Sequence, residues 1–158
     1  VKINNQVSWQ KKQQHTLELN YSKTVFFNRY ERLFNELWKQ TWITIDKLNI
    51  CMVKKIAEIL GITTRIVCSS ELGISSASSQ RLVDICKKLK GDTYIAGQGG
   101  EQYMDTALFE QEGIGLQFQK YNHPVYPQLF GEFVSHLSII DLLCNCGDRS
   151  LEILKGNR

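Results

Sequence analysis

The stretch DTYIAGQGG, residues 92–100, decides the fold of this chain. Its first half is β-branched and aromatic, which is typical of a short strand, and its glycines break the extended run. A second strand is predicted at residues 114–119 (IGLQFQ), and a helix that Asp105 caps and Gly113 ends lies between the two. A strand, a helix and a strand joined by short links predict a crossover connection and therefore parallel strands.

Upstream, the same pattern extends by one more strand and one more helix. Residues 63–68 (TTRIVC) are short and β-branched, which predicts a further strand. A Ser-rich turn then leads into a helix that Gly91 closes. The apolar face of this helix consists of Leu82, Ile85, Cys86 and Leu89.

The first part of the chain predicts three helices. The first runs from Ser8, its predicted cap, to about Ser22, and the third runs from near Thr44 to Gly61. Between them lies an amphipathic helix with an aromatic-rich stripe that we expect in the core: Phe26, Tyr30, Leu33, Phe34, Leu37 and Trp38. The third helix is expected to turn Ile45, Leu48, Met52, Ile56 and Leu60 inward.

The end of the chain predicts two further helices. Ser138 and Asp141 form a capping-box-like start for a helix that Gly147 ends, and Asp148 is a predicted cap for a last short helix. The predicted fold class is therefore α/β, with a largely parallel sheet flanked by helices and a helical first half. A length of 158 residues fits a single domain, residues 1–158.

Composition excludes several classes of protein. The chain is 42% hydrophobic and 22% charged, as in an ordinary globular protein, and its formal charge is +3. Its lysines form scattered pairs, which indicate solvated helix faces rather than a nucleic-acid patch. No apolar stretch approaches the ~20 residues of a membrane span, and no signal-peptide pattern opens the chain.

The cysteines and the first residues carry two more expectations. Five cysteines without a disulfide or zinc-ligand framework indicate reduced thiols and a cytoplasmic location. Val1, Lys2 and Ile3 alternate between apolar and polar as if already inside a strand, and no initiator Met is present. We therefore expect that an N-terminal segment is missing.

Polar and Gly-rich segments follow each of the three predicted strands. Ligands bind outside the C-terminal ends of parallel strands, because the loops diverge there. The candidate residues in these segments are Ser69, Ser70 and Glu71, then Gly97, Gln98, Gly99 and Gly100, and finally His123 and Tyr126. We expect one concave edge to be lined by Ser70, Gln98, Gly99, His123 and Tyr126, and no set of His, Asp or Glu has the spacing of a metal site.

Each candidate has a chemical interpretation and a structural alternative. The glycines at 97, 99 and 100 allow positive φ and an anion-binding nest, or they form a tight turn. His123 is a candidate general base, or a histidine that structures a Pro-bounded loop. Glu71 and Glu101 are candidates for a carboxylate pair, or exposed loop carboxylates.

Four segments together resemble successive signatures of the WbqC-like protein family. They are SSEL at residue 69, DTYIAGQGG at residue 92, YNHPVYPQ at residue 121 and LSIIDLL at residue 137. The closing Asn145-Cys146-Gly147 also matches, so the resemblance covers nearly the whole chain in order. Members of this family are usually longer and begin with a strand and an aromatic-rich loop that contains His-Gln-Pro.

The resemblance implies a role in bacterial O-antigen and related surface-polysaccharide biosynthesis. Our first hypothesis is an enzyme that modifies a nucleotide-activated amino sugar, by acyl or aminoacyl transfer. In this hypothesis Gly97, Gly99 and Gly100 hold a phosphate, Gln98 and Tyr126 bind the substrate, and His123 is the base. The alternative is a non-catalytic binding or scaffold protein of the polysaccharide machinery. The sequence assigns neither a cofactor nor an oligomeric state.

Overall fold

A computed structural model describes residues 1–156 of the chain. Two compact units are present. The first contains residues 1–64 and the chain from His123 onward, and the second contains Arg65–Asn122. Along the chain the elements are α1 (Trp9–Tyr21), α2 (Phe27–Lys39), α3 (Ile45–Ile59), α4 (Ser78–Leu89), β1 (Thr93–Ala96), α5 (Thr106–Gln111), β2 (Gly115–Phe118), α6 (Ile139–Cys146) and α7 (Ser150–Lys155).

These elements confirm the predicted α/β class with a helical first half. The sheet is parallel as predicted but small, since it has two strands in the described residues. The assignment of a single domain stays a prediction, and the last two residues of its predicted range lie outside the described residues. In residues 1–156, no helix is both long and apolar enough to cross a membrane.

Helix α2 supplies the centre of the first unit. In the predicted stripe, Tyr30, Phe34 and Leu37 are buried, and Phe26, Leu33 and Trp38 are half-buried. Phe27 was not predicted, and the buried side chains of α2 are Phe27, Tyr30, Phe34 and Leu37. Three of these residues pack with Leu60 at the end of α3 and with Leu143 and Cys144 of α6. Burying each large side chain contributes about 1.5–3 kcal/mol, so these buried residues stabilise the unit by several kcal/mol in total.

The structure confirms some of the predictions made for α1 and α3 and contradicts others. Gly61 has φ +67° and donates its N–H to the carbonyl of Glu58, as a glycine that ends a helix does. Ser8 lies at the start of α1, but its side chain makes no capping hydrogen bond. The prediction that Ile45 faces inward is wrong, because its side chain is 39% exposed.

The first residues pair with the segment that precedes α3. Lys2 forms an antiparallel bridge with Thr44, and Ile3 donates its N–H to the carbonyl of Ile43 at 2.9 Å. The first three residues, whose pattern is strand-like, therefore form an isolated β-bridge with the chain before α3.

Two capping predictions for the C-terminal helices need correction. Ser138 caps α6 as predicted, because its Oγ accepts from the N–H of Ile140. Asp141 does not complete a capping box, since its carboxylate accepts instead from Gln128 and Asn145. Asp148 does not cap α7 either, because its carboxylate pairs with the guanidinium of Arg29 at 2.7 Å.

The second unit is built around the two parallel strands. Thr93 lies opposite Gly115, and Ala96 lies opposite Phe118. Helices α4 and α5 pack against the strands and enclose a core of Val83, Cys86, Ala96, Met104, Phe109 and Ile114. The prediction of a strand at residues 63–68 is wrong, because this segment has no hydrogen-bonded strand neighbour.

The helices of this unit begin and end close to the predicted residues. Asp105 caps α5, since its Oδ1 accepts from the N–H of Leu108 at 3.2 Å. At the end of α4 the left-handed residue is Lys90, with φ +58°, and Gly91 donates its N–H to the carbonyl of Cys86. The tight end of α4 therefore leads directly into β1.

Candidate functional site

His123 lies at the start of the loop that leads into the C-terminal helices of the first unit. Its Nδ1 is 2.9 Å from the carbonyl oxygen of Pro124. A carbonyl oxygen only accepts hydrogen bonds, so this contact is a hydrogen bond in the tautomer that carries the proton on Nδ1. In the neutral ring the lone pair is then on Nε2, which is the form a general base requires.

Three aromatic rings surround the imidazole of His123. The ring centroids of His136, Phe133 and Tyr126 lie 4.7, 5.9 and 6.1 Å from its own. His136 is exposed and has a left-handed φ of +60°, which is uncommon for a residue other than glycine. The structure therefore brings the candidates His123 and Tyr126 together and adds a second histidine to them.

Tyr126 is buried beneath this cluster. Its ring packs edge-on against Phe133 at 5.3 Å and contacts the core formed with Leu142 and Cys146. Burial, followed by interaction with Asp141, raises the pKa of Tyr126 to about 12. The phenol therefore stays protonated over the physiological range.

Asp141 anchors the loop from the side of α6. Its carboxylate is buried, and Oδ2 accepts from the side-chain amide of Gln128 at 3.0 Å. The same amide of Gln128 also bonds both the carbonyl and the N–H of Val134, at 2.9 and 2.8 Å. Gln128 thus closes the loop over residues 128–134 and fixes it to α6.

In the second unit, the Gly-rich segment forms a 3-10 turn over Gln98–Gln102, directly after β1. None of its three glycines has a positive φ, and Gly100 donates its N–H to the carbonyl of Gly97 at 2.9 Å. The expectation of positive φ at these glycines is therefore wrong, whereas the binding of an anion by this turn stays a prediction. Gly100 is buried, whereas Gly97, Gln98 and Gly99 are exposed.

Ser69, Ser70 and Glu71 belong to a second 3-10 turn in this unit, Ser69–Leu72, and all three residues are exposed. The guanidinium of Arg81 on α4 binds the chain beside this turn, since Nη1 donates to the carbonyl of Ile74 at 2.6 Å. A surface cavity of about 520 Å³ lies here, lined by residues 72–76, Asp84, Lys87 and Lys88.

His123 and Tyr126 belong to the first unit, and the seven other candidate residues belong to the second. The expectation of one concave edge lined by Ser70, Gln98, Gly99, His123 and Tyr126 stays a prediction, as do the roles of all nine candidates in ligand binding or catalysis. Within residues 1–156, no group of three or more His, Cys, Asp or Glu has the arrangement of a metal site.

Sequence reasoning missed two residues that organise the His123 loop. Asp141 carried a signal, but its position three residues after Ser138 indicated a capping box. Gln128 stands in the motif YNHPVYPQ without any pattern that would link it to α6. A polar residue at a position of apolar period, as Asp141 is in IIDLL, was the available sign of a buried partner.

The chain was compared with known proteins and with solved structures. The family model described as WbqC-like protein family matches residues 1–153. The uncharacterized protein Rv1507c of Mycobacterium tuberculosis is 28% identical over 149 residues. That alignment covers 93% of this chain and 64% of the relative, so the chain spans about two thirds of the relative's length. No solved structure matches. With a match that covers nearly its whole length, the chain belongs to the WbqC-like protein family.

Proposed function

We propose that this protein is an enzyme of bacterial O-antigen or surface-polysaccharide biosynthesis. Its substrate is a nucleotide-activated amino sugar, and its reaction is acyl or aminoacyl transfer. The family membership supports the biosynthetic role, and the five cysteines, all free, support a cytoplasmic location. The observation that carries an enzymatic function is the fixed ring of His123.

The contacts of His123 suit a general base. The Pro124 carbonyl favours the tautomer with the proton on Nδ1, and the neighbouring rings of Tyr126 and Phe133 restrict the orientation of the imidazole. A base must be held in hydrogen-bond reach of the proton that it removes, so a restrained ring with its lone pair on Nε2 is favourable. An unrestrained loop histidine would lack this preorganisation.

The proposed step transfers an acyl group to the sugar amine and passes one proton through His123. The amine attacks the carbonyl carbon of an activated acyl ester or thioester, and Nε2 of His123 accepts the proton that the amine loses. The tetrahedral intermediate collapses with cleavage of the bond to the ester oxygen or thioester sulfur. The imidazolium returns its proton to this leaving group.

The surface turns of the second unit are proposed as ligand-binding elements. Backbone N–H groups of the exposed Gly97 and Gly99 would bind phosphate oxygens, with Gln98 as a hydrogen-bonding side chain. The N–H of Gly100 is donated to the carbonyl of Gly97, so Gly100 would only shape the turn. Ser69 and Ser70 are proposed as further ligand contacts and Glu71 as a second acid–base group. Because Tyr126 is buried, we assign it to supporting His123 rather than to hydrogen-bonding the substrate.

Calorimetry with the full-length protein tests this function. We expect heat of binding with at least one of the UDP-, dTDP-, GDP- and CDP-activated amino sugars. The His123→Gln variant should bind this ligand but lose acyl transfer, whereas His15→Gln changes a histidine of α1 and should leave transfer unchanged. An absence of heat with every nucleotide and nucleotide sugar would sink the proposal.

A second candidate function is a non-catalytic binding or scaffold protein of the polysaccharide machinery. It is favoured by apolar side chains on the surface of the loop beyond His123, where Val125 and Phe130 are 77% and 60% exposed. Such side chains often mark a partner surface. Co-purification from a polysaccharide-producing bacterium tests this alternative, and a monodisperse monomer without a partner would count against it.

A further inference from the structure

Asp141 is a charged group in an unusual position for an amphipathic helix. It lies in the first turn of α6 and is 5% exposed. Withdrawing a carboxylate from water is costly unless hydrogen bonds replace the lost hydration. In this helix Oδ2 accepts from Gln128 and Oδ1 accepts from Asn145, so both oxygens have partners.

These two hydrogen bonds of the Asp141 carboxylate differ in what they connect. Asn145 lies one turn further along the same helix, so its bond stays within α6. Gln128 lies in the loop, and its amide also bonds both backbone groups of Val134. The contact with Gln128 therefore couples α6 to the loop backbone at two points, residues 128 and 134.

The coupled segment carries the rings that hold His123. Phe133 precedes Val134, and Tyr126 lies two residues before Gln128. Tyr126 also forms a side-chain hydrogen bond with Asp141. Both rings lie about 6 Å from the imidazole of His123, at 6.1 and 5.9 Å between centroids. The carboxylate of Asp141 is thus connected to the imidazole of His123 through Tyr126 and Phe133, which lie close in sequence to the hydrogen-bonded residues Gln128 and Val134.

We infer that Asp141 is a positioning residue for His123, acting through Gln128 and Tyr126. This inference rests on the proposed function, because that function makes His123 the base whose ring must be positioned. With a weaker acceptor at position 141, the hydrogen bond from Gln128 to α6 is lost. The rings of Tyr126 and Phe133 then lose their fixed spacing. The imidazole then samples more orientations, although α6 still packs through Leu142 and Leu143.

Asp141→Asn is the test variant, because it keeps the size of the side chain and replaces one accepting oxygen by a donor. The matched control is Ser150→Ala. Ser150 is fully buried and donates to the carbonyl of Gly147 at 2.6 Å, so its loss also weakens the packing at the end of α6. The carbonyls that its hydroxyl contacts, those of Leu142 and Gly147, lie outside the His123 loop.

Two measurements on the full-length protein report on His123 without any substrate. One is the position of its ring signals in ¹H–¹³C NMR spectra, and the other is its rate of carbethoxylation by diethylpyrocarbonate, followed by peptide mass spectrometry. We expect Asp141→Asn to shift the ring signals and to raise the modification rate several-fold. Ser150→Ala should lower the melting temperature while leaving both properties of His123 as in the wild type.

The inference is overturned if Asp141→Asn leaves the His123 signals and modification rate unchanged, or if Ser150→Ala alters them as much. If Asp141→Asn does not fold, Gln128→Leu replaces it, since this variant keeps the carboxylate of Asp141 and removes the hydrogen bonds of the Gln128 side chain. Gln128→Leu must then produce the same shift and acceleration, and a wild-type response would equally reject the inference. Because neither measurement uses a nucleotide sugar, failure of the proposed reaction is distinguished from failure of the positioning role.

Discussion

Gly100 packs directly against the ring of Phe118: a Cβ atom added at Gly100 would lie 3.2 Å from Cε1 of that ring. The same atom would meet the sulfur of Met104 at 2.9 Å and the Cβ of Ala96 at 3.2 Å. The absence of a side chain at position 100 therefore lets the turn after β1 close onto β2. This requirement concerns packing, and it is separate from any role of the turn in ligand binding.

Gly100→Ala should accordingly destabilise the protein by about 1–3 kcal/mol, the usual cost of overpacking a core. The matched control is Gly99→Ala, because a Cβ there meets nothing within 4 Å and the φ of Gly99 is not positive. Urea denaturation of both variants gives the comparison. Equal losses of stability in the two variants would contradict the packing explanation. A loss of ligand affinity confined to Gly99→Ala would support the proposed binding role of the turn.

The two serines that begin helices in the first unit offer a second matched pair. Ser138 accepts a hydrogen bond from the N–H of Ile140, whereas Ser8 makes no capping bond with its side chain. Ser138→Ala should therefore cost about 1 kcal/mol of stability, and Ser8→Ala should cost close to nothing. The free energies of unfolding of the two variants measure this difference. A larger loss at Ser8 than at Ser138 would show that the capping geometry does not determine the effect.

Local sequence signals predicted most of the elements. Periodic apolar faces indicated α2 and α4, and the short β-branched runs indicated β1 and β2. These signals work because the burial of one helix face or one strand face is encoded in neighbouring positions. The same signal was misleading for residues 63–68, which have the composition of a strand but no hydrogen-bonded strand neighbour. Strand formation depends on a partner that lies elsewhere in the chain.

The candidate site shows the same division between local and distant information. His123 stood out because of its neighbouring proline and tyrosine, which are close to it in the chain. The link from Gln128 to Asp141 spans 13 residues and joins a loop to a helix, so no local period indicates it. The conformation of the glycines was also unpredictable, because glycine tolerates both signs of φ. The close approach of Gly100 to Phe118 joins residues that are far apart in the chain, so no local pattern indicates it.

Alkaline pH should destabilise the protein through two buried groups. Burial raises the pKa of Cys144 from 9.0 to about 11 and is also the main cause of the rise for Tyr126, from 10.0 to about 12. A folded-state pKa above the unfolded value means that the folded state binds the proton more tightly. The resulting stability is fully present below pH 9 and is lost as pH rises through about 11 and then about 12.

The expected loss is on the order of 2 kcal/mol for each group, because one pKa unit corresponds to about 1.4 kcal/mol. Urea denaturation is carried out below pH 9.0, the ordinary thiol pKa, and again near pH 11, because the pKa of Cys144 in the folded state is about 11. The difference in the free energy of unfolding measures the loss that is due to Cys144. Cys144→Ala is the control, since it removes the thiol and should flatten the decline in that interval. A wild-type protein whose stability is constant up to the higher pH would contradict the prediction.

Arg81 should hold the segment that follows the Ser69–Leu72 turn. One guanidinium nitrogen donates to the carbonyls of Ile74 and Ser76, at 2.6 and 3.3 Å, and the other lies 3.5 Å from the carbonyl of Ser69. The planar fork of arginine reaches several acceptors at once, whereas a lysine ammonium is a single point of charge on a flexible stem. Arg81→Lys keeps the charge and removes the fork. We therefore expect faster amide hydrogen exchange across residues 69–76 and a loss of about 1–3 kcal/mol in stability.

Arg32→Lys is the matched control for this substitution. Arg32 pairs with Glu36 on the surface of α2, and its side chain is 88% exposed, so the change should alter stability by less than about 0.5 kcal/mol. Hydrogen exchange followed by mass spectrometry locates the effect along the chain. If Arg81→Lys leaves exchange in residues 69–76 at the wild-type rate, the carbonyl contacts do not order this segment. If exchange rises only in residues 69–76, the turn that carries Ser69, Ser70 and Glu71 depends on a side chain of α4. Weaker ligand binding by Arg81→Lys would then follow from the loss of order in this turn.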